Sequence, residues 1–149
     1  MIEAWIDGAC ENCNPGGTMS AGVVILKDGE LMWRHGQIIK PKVGSKPEEW
    51  TNNVAEYSAL WLCLNYLIKE KQTNQVIIMR GDSQLVIKQM WGTWGMKGGA
   101  YVPLALKCKE MLKGFSNATG QWVPREQNKE ADELSKQALV KAGVTVRTR

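Results

Sequence analysis

Four carboxylates stand where they could do chemistry together: Asp7, Glu56, Asp82 and Asp132. Asp7 follows Ile2-Glu3-Ala4-Trp5-Ile6, an alternation of apolar and polar residues, and so reads as closing a strand. Asp82 closes a second strand that begins with the apolar run at residues 75–79. Glu56 lies in the first turns of a helical pattern, and Asp132 in the first turn or so of another. Acids gathered at one sheet edge repel one another, and divalent cations are the least costly remedy. Each acid also has an ordinary role open to it. Asp after a strand forms turns, Glu near a helix start favours the macrodipole, and the acidic run from Glu130 to Glu133 can simply be solvated.

The elements that must position these acids follow from periodicity. Residues 18–27 and 30–40 are β-branched or apolar runs separated by Asp28-Gly29, a strong hairpin signal, which gives three consecutive antiparallel strands with the first. A loop with two prolines and a glycine covers 41–51. Thr51, Asn52 and Asn53 offer caps for a long, largely buried helix carrying Ala55, Ala59, Leu60, Cys63, Tyr66 and Leu67. A short amphipathic helix spans about 83–90, a glycine-rich loop 92–100, and a further helix about 103–113. Residues 119–123 form the last strand, and Asn128 caps a final helix reaching Ala142. Strand, helix, strand over the middle of the chain implies a parallel crossover, placing the first and fourth strands side by side in a mixed sheet. The fold class is α/β: a five-stranded mixed sheet, three antiparallel strands then parallel additions, flanked by helices. In such sheets ligands bind beyond the carboxyl ends of the strands. A chain of 149 residues is expected to form one domain over 1–149.

Four segments in this order, Asp7-Gly8-Ala9 with Asn14-Pro15-Gly16-Gly17, Thr51-Asn52-Asn53-x-x-Glu56, Gly81-Asp82-Ser83-Gln84 and Asn128-x-x-x-Asp132, resemble the type 1 ribonuclease H family over nearly the whole chain. The resemblance implies a ribonuclease H-like fold and an endonuclease that hydrolyses the RNA strand of RNA–DNA hybrids. It implies a two-metal-ion mechanism leaving 5′-phosphate and 3′-hydroxyl ends, with Asp7, Glu56, Asp82 and Asp132 as catalytic metal ligands and Asp7 bridging both ions. Oxygen donors without histidine or thiolate select magnesium, or manganese, over zinc. By the same resemblance Asn52, Asn53 and Gln84 read 2′-hydroxyls. Asn14, Thr51 and Ser83 grip a phosphate of the DNA strand, with capping and turn formation open to the same side chains. Trp94 offers a flat surface to a deoxyribose, with Trp91 as its competitor, while Trp5, Trp33 and Trp61 are expected in the core. Two other readings stand beside the nuclease: a non-catalytic nucleic-acid-binding domain of the same fold, and an integrase-like DNA nuclease. The Thr-Asn-Asn and Asp-Ser-Gln signatures favour 2′-hydroxyl reading over the latter.

The chain departs from the family pattern in two places. Many relatives carry a histidine in the loop before the last acidic helix; here that loop is Pro124-Arg125-Glu126-Gln127-Asn128, and the single histidine, His35, falls in the third strand. Arg125 stays protonated, so it can hold a phosphate but cannot act as a base, whereas Glu126 can handle protons. The basic protrusion after the second helix is missing, since Lys97 stands alone between Lys88 and Lys107. Grip on the substrate is expected from the core face and from basic residues over 107–149, including Arg147 and Arg149.

Charge is consistent with this partner. The formal net charge is +4, with residues 1–79 at −2 and 80–149 at +6. Two bound divalent ions would raise the formal total to +8, which suits a polyanion. Cys10, Cys13, Cys63 and Cys108 are too scattered for a disulfide framework, and Cys10-x-x-Cys13 lacks further ligands for zinc. No apolar run approaches the roughly 18 residues of a membrane span, and acids appear too early for a signal peptide. The expectation is a cytoplasmic monomer with no membrane contact and no obligate protein partner.

Overall fold

The computed structural model describes residues 1–146, so Arg147 and Arg149 lie outside the described residues. The elements run β1 (Ile2–Glu11), β2 (Thr18–Lys27), β3 (Glu30–Ile39), α1 (Asn52–Lys69), β4 (Val76–Gly81), α2 (Gln84–Trp91), α3 (Val102–Leu112), β5 (Asn117–Trp122) and α4 (Lys129–Lys141). Short 3-10 turns lie at Pro47–Glu49 and Arg125–Gln127. One mixed sheet holds all five strands in the order β3-β2-β1-β4-β5. The β1–β2 and β2–β3 pairs are antiparallel, and β1–β4 and β4–β5 are parallel. Asp28 and Gly29 both adopt positive φ, 52° and 83°, as a two-residue turn between twisted strands requires. No described helix is long and apolar enough to cross a membrane.

One boundary differs from expectation in a way that bears on the site. The first strand does not close at Asp7 but continues to Glu11, because residues 7–11 keep pairing with β2, from Asp7 opposite Gly22 to Glu11 opposite Thr18. Its pairing with β4 ends at Ile6 opposite Gly81. Asp7 is therefore the first residue past the parallel seam, bonded on one side and open on the other. The last strand also begins earlier than residue 119, since Asn117 and Ala118 pair with Val76 and Ile77.

Alternation along β1 sorts its neighbours. Ile2, Ala4 and Ile6 join Tyr57, Leu60, Leu64 and Leu67 of α1, together with Ile77 and Met79 of β4, in the main core. Gly8 continues this face, and a Cβ there would lie 2.3 Å from the carbonyl carbon of Ala55. The absence of a side chain lets α1 touch the strand one residue before Glu56. Gly22 faces the opposite side, where a Cβ would stand 2.1 Å from the Ala131 carbonyl oxygen of α4. That side is closed further by Ser20, whose hydroxyl lies 2.7 Å from the Ser135 hydroxyl, with Ala131 and Leu139 buried nearby.

The tryptophans expected in the core are half-buried instead. The Arg80 guanidinium lies 5.0 Å above Trp5, and Trp33 stacks between Tyr66 and His35. The Lys107 ammonium sits 5.7 Å from the ring of Trp61. All four cysteines are free thiols, and burial pushes those of Cys63 and Cys108 up to about 12.

The Gly22→Ala variant should lose about 3 kcal/mol of stability in urea denaturation, because the new methyl meets backbone that cannot turn aside. Gly95→Ala, with open space around it and no positive φ, should stay within about 0.5 kcal/mol of the parent.

Candidate active site

Chain geometry brings Asp7, Glu56 and Asp82 to one place: each offers a carboxylate oxygen, and the three oxygens lie within 4.8 Å of one another. Asp7 and Glu56 are buried, 4% and 5% exposed, and Asp82 is half-buried. Each arrives on a different element. Asp7 stands past the β1–β4 seam, Glu56 comes from the first turns of α1, and Asp82 follows the end of β4.

Backbone contacts lock these positions. Glu56 Oε1 accepts a hydrogen bond from the Gly8 N–H, which ties α1 to the residue after Asp7. The Trp122 indole N–H donates to the Asp82 carbonyl at 3.2 Å, and the Val123 N–H donates to Gly81 O at 2.9 Å. The turn after β4 is thereby held by the end of β5. Asn128 occupies the N-cap of the last helix, as expected, but its side chain makes no capping hydrogen bond. Its Nδ2 instead donates to the Ile6 carbonyl at 2.8 Å, fully buried, across 122 residues of sequence. This single bond anchors the start of α4 beside Asp7.

The electrostatics are severe. Burial above all, then the charges of Glu56, Asp82 and Asp132, holds the Asp7 carboxyl well above its ordinary range. Asp7 Oδ2 is buried with no hydrogen-bond partner. An orphaned oxygen beside two more carboxylates, with only oxygen donors in the group, fits a hard divalent cation. Asp7, Glu56 and Asp82 are the residues that would hold it.

Asp132 is close enough to act on Asp7 but stands outside the three-oxygen group. Lys136, one turn along α4, reaches its Oδ2 at 2.9 Å, and Arg125 Nη2 lies 3.6 Å from its Oδ1. The fourth acid is thus already supplied with cations by the protein. Arg125 stands beside it from the 3-10 turn Arg125–Gln127, which contains no histidine. Glu126 is exposed and borders a hollow over Trp5 and Val24.

The residues expected to meet substrate fall into two groups around this centre. Asn14 Oδ1 accepts from the Asn52 N–H at 3.0 Å, and Thr51 Oγ1 caps α1 by accepting from the Val54 N–H at 3.2 Å. Asn14, Thr51 and Asn52 therefore form one unit at the positive end of α1, where anions are favoured. Capping and an anion-binding position coexist there. Asn53 is exposed beside them. Ser83 caps α2 by accepting from the Val86 N–H at 3.2 Å, and Gln84 is exposed on its first turn.

Of the two competing tryptophans, Trp91 is used internally. Its ring packs against Gly120, and its indole N–H donates to Ala118 O at 3.1 Å. Trp94 is 46% exposed, with the Lys88 ammonium 4.9 Å from its ring. Sequence reasoning missed the group that carries this loop. Gln89 is buried, accepts from the Tyr57 hydroxyl at 2.6 Å, and donates to Gly95 O and to the Tyr101 hydroxyl. Neither Gln89 nor Trp122 has a sequence signal of its own; an amphipathic helix placing a glutamine on its apolar face was the one available hint.

Known proteins resemble this arrangement. The family model described as "Reverse transcriptase-like" matches residues 6–138. A relative from Halobacterium salinarum named "Ribonuclease HI" is 33% identical over 138 residues, which is 93% of this chain and 64% of that protein. The chain thus spans somewhat under two thirds of that relative's length. The crystal structure of RNase H1 from Halobacterium salinarum superposes with a TM-score of 0.79 at 32% identity, covering 94% of this chain and 98% of that one. LC11-RNase H1, solved in complex with an RNA/DNA hybrid, gives a TM-score of 0.81 at 30% identity, covering 95% and 99%. The family match over residues 6–138, with the fold and sequence shared with these RNase H1 structures, places this chain in the reverse transcriptase-like family, as a member of its type 1 ribonuclease H group.

Proposed function

We propose that the protein hydrolyses the RNA strand of RNA–DNA hybrids, with magnesium or manganese as its cofactor and two ions per site. The observation that carries this reading is the buried group of Asp7, Glu56 and Asp82 with an unpartnered Asp7 oxygen, set beside an anion-favouring helix end. A relative solved on an RNA/DNA hybrid supports the choice of substrate. When bound, divalent ions supply Lewis acidity at the scissile phosphate and offset charge on the leaving oxygen.

The chain's own residues divide the remaining work. Asn14 and Thr51, at the α1 end, and Ser83 at the α2 end hold a phosphate of the DNA strand. The exposed amides of Asn53 and Gln84, with Asn52, donate to and accept from 2′-hydroxyls in the minor groove. Trp94 packs one ring face on a deoxyribose while Lys88 covers the other. Asp132, held by Lys136 and Arg125, completes the acidic set as the fourth ligand. Arg125 then restrains the departing phosphate, with a 5′-phosphate and a 3′-hydroxyl as the product ends.

Incubation with labelled hybrid, duplex DNA and duplex RNA in magnesium or manganese tests the reading. Cleavage is expected on the hybrid alone, in its RNA strand. Asp7→Asn should lower the rate by at least about 10²–10³-fold, as loss of a transition-state charge partner does. A wild-type protein that binds hybrid without cutting it would instead be the non-catalytic domain, and preference for duplex DNA would mark the integrase-like alternative.

A second expectation concerns stability alone. Asp7→Asn removes a buried charge from among like charges, so in the presence of a chelator it should melt above the wild type. Added manganese should raise the melting temperature of the wild type and leave that of Asp7→Asn nearly unmoved. Equal manganese shifts in both proteins would remove Asp7 from the ligand set.

A further inference from the structure

The loop at residues 92–100, which carries the exposed Trp94, contains four glycines and no regular structure. Such a stretch has little reason of its own to hold an aromatic ring in one place. Contacts on either side of the ring do so instead. The Trp94 N–H donates to Lys88 O at 3.2 Å, and Gly95 O accepts from Gln89 Nε2 at 3.1 Å. Both pins come from adjacent residues of α2, and the Lys88 ammonium also lies 4.9 Å from the ring.

Gln89 is 2% exposed, and its amide is engaged at both ends. Because Gly95 O can only accept, it fixes which end of that amide is Nε2 and leaves Oε1 to the Tyr57 hydroxyl, which donates at 2.6 Å. The second Nε2 hydrogen goes to the Tyr101 hydroxyl at 3.0 Å, and the rings of Tyr57 and Tyr101 are stacked with centroids 5.6 Å apart. Tyr57 is fully buried in α1, one residue after Glu56, and Tyr101 stands at the start of α3. The loop at Gly95 is thereby tied through one side chain to the helix that supplies a member of the acidic centre.

We propose that Gln89 is a positioning residue for the hybrid: through Gly95 O it holds the Trp94 ring at a fixed place relative to the carboxylates. A buried amide satisfied by three partners is rigid, and drawing Gly95 away would leave one of its hydrogens without an acceptor. Gln89 touches no substrate and acts only through Trp94. The proposal rests on the hybrid reading above and names what sets the tryptophan that it places against a deoxyribose.

The test measures hybrid affinity by fluorescence anisotropy in calcium for wild type, Q89M, W94A and the double variant Q89M/W94A, each at a temperature where circular dichroism shows it folded. Trp94→Ala should weaken binding by about tenfold, the weight of one aromatic platform, and Gln89→Met by a comparable factor. In the W94A background the added Q89M should cost no more than about twofold, because the ring through which Gln89 acts is already gone. In magnesium, Q89M should raise KM for the hybrid by about tenfold and leave kcat at saturating hybrid within about twofold of wild type. Where Q89M does not fold, Q89N carries the same expectations, since it keeps an amide for the tyrosines but draws it back from Gly95 by one methylene. If the Gln89 variant binds like wild type, costs the same with and without the Trp94 ring, or lowers kcat instead of affinity, Gln89 does not position Trp94 and the ribonuclease reading stands. If W94A binds like wild type, the proposal falls with the Trp94 contact, while cleavage of hybrid by wild type still upholds that reading. If wild type neither binds nor cuts hybrid, the reading falls and takes the proposal with it.

Discussion

Repulsion between carboxylates governs this molecule. Three acids with oxygens inside 4.8 Å, two of them buried, would cost at least about 3.5 kcal/mol per fully charged pair at an effective dielectric near 20. No sequence would accumulate such a group for stability, so the rest of the fold must hold it in place against that force. The main core does so by fixing α1 on β1 through Ile6, Leu60 and Leu64. Two close approaches then remove the remaining freedom. Gly8 lets α1 touch the strand beside Glu56, and Gly22 lets α4 settle on β2 across from Asp7.

The four acids are not equivalent under this constraint. Asp7 lies deepest and keeps a bare oxygen, whereas Asp132 is partly exposed and already bonded to Lys136 and near Arg125. Asp7, Glu56 and Asp82 would therefore hold a cation at the bare Asp7 oxygen, whereas Asp132 already faces two side-chain cations. Asn128 sets the distance between the two, because its bond to Ile6 O places the start of α4 against the strand while Asp132 sits one turn further on. Of the two cations at Asp132, Lys136 belongs to α4 and Arg125 to the turn before it.

Much of this was legible from residue types. Alternation in β1, the Asp28-Gly29 turn and the Thr51 cap all act within a few residues, and all appear where local physics puts them. The end of β1 was not legible, because Gly8 and Ala9 look like loop formers and only pairing with β2 keeps them extended. Asn128 sits at the N-cap where its context put it, but the partner of its side chain, 122 residues away, was not legible. Gln89 and Trp122 act through hydrogen bonds to distant backbone or side chains, which no periodicity records. The charge count by halves holds as a sum, but it does not record which cations meet: Lys40 and Lys42 of the first half line one groove with Lys107 only after folding.

The acidic centre also dictates where a polyanion can be gripped. Without cations, Asp7, Glu56 and Asp82 repel any phosphate brought near them, so a polyanion has to be anchored at a distance from them. The α1 end with Asn14 and Thr51 is one such anchor, and its attraction derives from backbone dipoles rather than from a side-chain charge that would neutralise the acids. Lysines placed directly beside the centre would compete for its carboxylates, as Lys136 does at Asp132. Lys40, Lys42 and Lys107 line a groove beside Val54 and Ser58 of α1 instead. The first residues of α1 thus carry both Thr51, at an anion-favouring helix end, and Glu56, five residues on in the acidic centre.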